Sequence, residues 1–170
     1  MGRGDTTDAY LTDNAWEQPE HAASVKPFHL DTFEVTVGRF RRFVELYPSN
    51  VPGAGDGVQP NVKGTGWNAS WSPMLLGTKA ELESALATCD DTSWSTAGSD
   101  ARPINCVTWY EAQAFCIWDG GFLPTEVQWE FVAAGGMANQ LYPWGNTPPT
   151  KERANYGCIG DGAAGCTLAD

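Results

Sequence analysis

An irregular, loop-rich α+β domain is the fold class this sequence predicts. Three observations predict it. Nineteen glycines and eleven prolines among 170 residues leave room only for short elements. Threonines stand at the head of several apolar stretches with helical spacing, the pattern of capped short helices. Alternating apolar and polar residues over 25–35 add short strands. Eight tryptophans supply large side chains to pin such a fold. A single domain over residues 1–170 is the expectation at this length.

Residues 1–24 read as an acidic, irregular lead-in, with Asp5, Asp8, Asp13, Glu17 and Glu20 spread without helical period. Over 25–35, Val25, Phe28, Leu30, Phe33 and Val35 alternate with polar residues, predicting short strands broken at Pro27. Thr36 caps a helix predicted over about 37–47. Val37, Phe40, Phe43, Val44 and Tyr47 form its apolar stripe, and Pro48 ends it. Arg39, Arg41, Arg42 and Glu45 are read as its solvated face. Residues 48–75 form a long Gly/Pro/Asn/Ser-rich loop carrying Trp67 and Trp71. Its Gly53–Gly57 stretch follows a helix rather than a strand and lacks the Walker spacing, so it is not a phosphate loop.

Thr78 with Glu81 opens a helix over about 79–87. Thr108 with Glu111 opens another over about 109–119, stopped by Gly120-Gly121. Phe122-Leu123 is a brief extended segment before Pro124. Thr125 with Gln128 opens a helix over about 126–134, apolar on two faces and so in need of cover on both. The two later helices are expected to pack together with Trp109, Phe115, Trp118, Trp129 and Phe131 at the centre. Tyr142-Pro143-Trp144-Gly145-Asn146 reads as a rigid aromatic turn.

The net charge of −11 disfavours nucleic acid and anionic membrane as partners. No apolar run is long enough for a transmembrane segment. Cys89, Cys106, Cys116, Cys158 and Cys166 contain no C-x-x-C pair, which excludes a zinc ribbon. Glycines around Cys158 and Cys166 favour a bridge between them, and a second is expected between Cys89 and Cys106. Such bridges imply an extracytoplasmic compartment, periplasmic, secreted or lipoprotein. An odd cysteine count and abrupt ends lead to the expectation of a fragment whose signal peptide is missing. His21 and His29 match no metal box. Cys116 sits on an apolar helix face where a thiol is inert. Glu126 and Glu130, one turn apart, are read as structural carboxylates rather than an acid–base pair. No catalytic residue and no bound organic cofactor is assigned from composition and spacing.

Residues 103–136, PINCVTWYEAQAFCIWDGGFLPTEVQWEFVAAGG, followed by LYPWGN at 141–146, resemble the formylglycine-generating enzyme (sulfatase-modifying factor) domain family. Its signature falls on Trp109, Ala112, Phe115-Cys116, Trp118, Leu123-Pro124-Thr125-Glu126, Trp129-Glu130 and Pro143-Trp144-Gly145-Asn146. Upstream, Pro19-x-His21, Phe28-His29-Leu30-Asp31 and Glu34-Val35-Thr36 match further elements, as do Met1-Gly2 and, downstream, Ala154-Asn155-Tyr156. Two family arginines are replaced, by Phe122 and Ala134, so the polar surroundings of Glu126 and Glu130 must differ.

The resemblance implies the irregular C-type-lectin-like fold, incomplete at both ends, with this chain its N-terminal portion. It implies a parent that is a metal-dependent oxidase acting on a protein cysteine or thiol, with a protein or peptide as its substrate. The copper-binding cysteine pair of that family has no counterpart in these residues, so copper enters only through a further segment. The alternative is a non-catalytic binding or structural domain of the same fold; an independent structural module ranks lowest. The resemblance also leaves Cys116 single, its mate elsewhere, and implies a calcium site at Asn155 and the Tyr156 carbonyl, with Asp161 or the better-spaced Asp170 as carboxylate. Neither the substrate nor the oligomeric state is legible.

Overall fold

The computed structural model describes residues 22–60, 62–150 and 152–154. One compact unit spans His29–Leu123; a second takes the described residues on either side of it, 22–28 and from Pro124 onward.

The core belongs to the first unit and is centred on α1, Val37–Glu45. Thr36 is extended, and its hydroxyl accepts the Arg39 N–H, satisfying one of the donors a helix start leaves open. The stripe at i, i+3, i+6 and i+7 places Val37, Phe40, Phe43 and Val44 in the interior, each at most 1% exposed. α2, Lys79–Thr88, brings Leu82 and Leu86 against them, both fully buried. α3, Trp109–Trp118, contributes Ala114 and Phe115. Phe115 stacks on Phe40 at 5.2 Å between ring centroids and meets Phe43 edge-on at 5.9 Å. The chain also approaches α1 closely at Gly38, where a Cβ would lie 3.0 Å from the Asp100 carbonyl oxygen in the 3-10 turn Ser99–Ala101.

The long loop between α1 and α2 packs on itself. The Gly55 N–H donates to the Trp67 carbonyl at 2.8 Å, and the Trp67 N–H to the Asp56 carbonyl at 2.7 Å. Gly57 has φ +69 and lies so near Ile117 of α3 that a Cβ would stand 2.3 Å from that side chain. Trp67 is buried, and Trp71 meets it edge-on at 5.6 Å.

In the second unit, α4 spans Glu126–Ala133 and is followed by a 3-10 turn, Gly136–Ala138. Gly135 and Gly136 both take positive φ, ending the helix as their sequence predicts.

Two expectations are corrected. Residues 25–35 form no strands; extended pairing among the described residues is limited to the isolated bridges Thr36–Pro103 and Tyr142–Gly145. Alternation supplies a face but not a neighbouring strand; the Val35 carbonyl accepts the Ile104 N–H at 2.9 Å. Among the described residues the β component of the α+β class is therefore two bridges. The aromatic centre also differs: Phe115 is buried, but Trp109 is 52% and Trp129 63% exposed. The inner face of α3 is taken by α1, and no residue of α4 is buried.

No helix among the described residues is long and apolar enough to cross a membrane.

Candidate functional site

α3 carries the first group of signature residues. Its start is a reciprocal capping box: the Thr108 hydroxyl accepts the Glu111 N–H at 3.2 Å, and the Glu111 carboxylate accepts the Thr108 N–H at 2.7 Å. Glu111 is 3% exposed, so its role in this cap is structural. Trp109 projects outward and meets Trp71 and Tyr110 edge-on, at 5.0 and 5.3 Å. On the third turn, Cys116 is half-buried and unbridged. Burial, reinforced by the Asp119 and Asp31 carboxylates and opposed by Arg39, pushes its thiol up to about 11. At neutral pH it is a protonated thiol, poor both as nucleophile and as soft-metal ligand. Cys89 and Cys106 are bridged, with Cα atoms 6.1 Å apart.

Arg39 links the entry to α1 with the end of α3. It donates to Asp31 at 2.6 Å and to Asp119, and lies 5.9 Å above the Phe115 ring. Its hydrogen bonds to the two carboxylates, Asp31 first, raise its already high pKa. Arg41 donates to Asp100 at 3.1 Å and to the Trp94 carbonyl at 2.6 Å, with its guanidinium 4.3 Å above the Trp94 ring. The expected solvated face of α1 is thus half a face. Arg42 is exposed, while Arg39 and Arg41 are engaged with acids that lie up to 80 residues away in sequence.

α4 carries the second group. The Thr125 hydroxyl accepts the Gln128 N–H, and the Gln128 side chain accepts the Thr125 N–H at 2.9 Å. Glu126 is exposed in the first turn, where a carboxylate favours the helix N-terminus. Its exposure removes the need for a buried ion partner. Glu130 is half-buried and lines a shallow, open concavity with Val25, Val127, Phe131, Ala134 and Asn139. Ala134 stands there in place of the second family arginine, and its carbonyl accepts the Gln140 N–H at 2.7 Å. Trp144 stacks on Tyr142 at 5.1 Å with ring planes 3° apart, and its indole N–H donates to the Thr147 carbonyl at 3.1 Å. The aromatic turn is closed by its own side chains and by the Tyr142–Gly145 bridge.

The expected calcium ligands Asn155, Tyr156 and Asp170, the cysteines Cys158 and Cys166, and His21 lie outside the described residues. His29 is exposed. No three His, Cys, Asp or Glu side chains group to hold a metal among the described residues. The Asp31–Arg39–Asp119 linkage escaped sequence reasoning because neither carboxylate is within one helical turn of Arg39.

Residues 2–161 match the family described as "Sulfatase-modifying factor enzyme 1-like domain". The chain is 34% identical over 145 residues to the cattle (Bos taurus) protein named "Inactive C-alpha-formylglycine-generating enzyme 2", covering 76% of this chain and 45% of the relative. It is 33% identical over 152 residues to the "Formylglycine-generating enzyme" of Streptomyces coelicolor, covering 82% of this chain and 46% of the relative. It is 29% identical over 171 residues to the "Hercynine oxygenase" of Mycolicibacterium smegmatis, covering 92% of this chain and 35% of the relative. The chain thus spans less than half the length of these relatives. No solved structure matches it significantly.

Proposed function

The chain belongs to the sulfatase-modifying factor enzyme 1-like domain family, and from that premise we propose that it is the N-terminal part of a formylglycine-generating-type domain of C-type-lectin-like fold. The parent is a metal-dependent oxidase acting on a protein or peptide cysteine or another thiol. The observation that carries this reading is a match running through nearly the whole chain, with the signature residues on two consecutive box-capped helices. Relatives named for formylglycine generation and for hercynine oxygenation support the oxidase class.

The described residues do not fit copper. A soft thiophilic ion needs a pair of thiolates, whereas Cys89 and Cys106 are consumed in a bridge and Cys116 stands without a second thiol among the described residues. No catalytic step is therefore assigned to them; their work is to build the scaffold. We place the copper-binding pair in a further segment of the parent. A calcium ion bound by Asn155, the Tyr156 carbonyl and Asp170 remains part of the proposal, as does the Cys158–Cys166 bridge. An extracytoplasmic location is supported by the Cys89–Cys106 bridge, which persists in oxidising compartments. The net charge of −11 supports a protein or peptide partner over nucleic acid.

The 34% identity to a relative named as inactive favours a second reading, a non-catalytic domain of the same fold. Incubating the full-length parent with copper, oxygen and a cysteine-bearing peptide separates the two. Formation of a peptide aldehyde, trapped with an aminooxy reagent, supports the oxidase. With free cysteine offered as a second thiol, peptide and thiol both recovered unchanged by a copper-loaded, folded protein support the non-catalytic domain and reject the oxidase.

A further inference from the structure

Two non-glycine residues near the Cys89–Cys106 bridge occupy left-handed backbone, Asp91 at φ +54 and Cys106 at φ +64. That conformation crowds Cβ against the backbone and persists only where its surroundings enforce it. Asn105 is one such constraint. Its Nδ2 donates to the Asp91 carbonyl at 2.9 Å, and its Oδ1 accepts the Ser93 N–H at 2.8 Å and the Ser93 hydroxyl at 2.9 Å. The bridge is the other. It joins the residue that ends α2 to a residue two before the Thr108 cap of α3.

Both cysteines are half-buried, so a small or protein thiol reaches them. Between them, residues 90–105 bury only Trp94 and Ser99. α1, by contrast, buries four apolar side chains against Leu82, Leu86 and Phe115 without help from the bridge. The middle of the segment is tied to α1, by the Val37 N–H donating to the Arg102 carbonyl at 2.9 Å and by Arg41 on Asp100 and the Trp94 carbonyl. The stretches flanking the bridge, 89–93 and 105–108, bury no residue and sit at the low end of local stability.

We infer that the Cys89–Cys106 bridge is a redox clamp: its reduction releases the turn around Asp91 and Cys106 and loosens the first turn of α3, while the α1-centred core stays folded. The reductant is a dithiol. One of its thiolates attacks the bridge, breaking the Sγ–Sγ bond and forming a mixed disulfide; its second thiolate displaces the protein sulfur. Cys89 and Cys106 end as two thiols, and the dithiol, having lost two electrons and two protons, ends as a disulfide. Freed of the bridge, Cys106 leaves the left-handed region, and the change passes through Val107 to the Thr108 cap and exposed Trp109.

Amide hydrogen exchange, read peptide by peptide on the full chain with and without dithiothreitol, tests the clamp. Reduction is expected to speed exchange at residues 89–93 and 105–110 about tenfold or more and to leave the α1 amides unchanged. A Cys89→Ser/Cys106→Ser variant should behave like the reduced protein. A Cys89→Ser/Cys106→Gly variant should remain close to the oxidised protein, since glycine takes φ +64 without strain. Unchanged exchange over 89–93 and 105–110 on reduction would overturn the proposal. So would α1 exchanging in step with that segment, which would make the bridge a staple of the whole fold. Equal opening of the Ser and Gly variants would remove backbone strain as the driver and overturn it likewise.

Discussion

Phe115 and Trp129 are both large aromatics on short helices, yet only one of them is covered. Phe115 is 2% exposed and touches Phe40, Phe43 and Trp118, whereas Trp129 is 63% exposed. Phe115→Ala is therefore expected to cost about 3–5 kcal/mol, through lost transfer energy and the cavity left behind. Trp129→Ala is expected to cost no more than about 1 kcal/mol. Urea melts of the two variants compare them directly; equal losses would contradict this assignment of the core. Sequence alone ranked the two alike, because side-chain size says what can be buried and not what arrives to bury it. The thiol next to Phe115 gives a second expectation. With its ionisation raised from 9.0 to about 11, Cys116 carries about 100-fold less thiolate at pH 8 than an unperturbed cysteine. Alkylation by iodoacetamide, followed by mass, should be slower in about that proportion and should accelerate on unfolding in urea.

Helix starts were the most legible elements. Each of the four α-helices among the described residues begins at a threonine whose hydroxyl accepts a backbone N–H three residues on, and each is readable from sequence to within a residue at that end. Capping is decided by residues close along the chain, so local sequence suffices. Thr108→Ala should lower stability by about 1 kcal/mol, and by more than Thr78→Ala. The Thr108 box also satisfies buried Glu111, whereas Thr78 and Glu81 are exposed. Chemical denaturation of both variants checks the order. Strands and ion pairs were not legible for the complementary reason. A strand at 25–35 needs an edge from elsewhere, and Arg41 finds its acid 59 residues away. The motif pattern announced the family and placed its residues on α3 and α4, but spacing could not show that Glu126 would be exposed while Glu130 lined a concavity.

For the whole molecule, alkaline stability follows from Tyr47. It is 5% exposed, and its hydroxyl donates to the Leu76 carbonyl across the start and end of the long loop. Burial first, then the Glu111 and Glu81 charges, pushes its pKa from 10.0 up to about 12. The folded state binds this proton more tightly than the unfolded state. Its contribution is fully present below pH 10 and is lost as pH rises from 10 to about 12. The melting temperature should fall across that window, and a Tyr47→Phe variant should fall less steeply. A parallel decline in both proteins would exclude Tyr47 as the cause.

The self-packed loop between α1 and α2 has a consequence for cutting the chain. Lys63 is exposed, and no other lysine or arginine occurs between Pro48 and Thr78, so trypsin has a single place to act there. The two sides of that point are knitted together by the paired Gly55–Trp67 and Trp67–Asp56 hydrogen bonds, while Gly57 is wedged against Ile117. A nick after Lys63 should then leave two polypeptides that travel as one particle in a native gel and part only in detergent, a split protein held by its own seam.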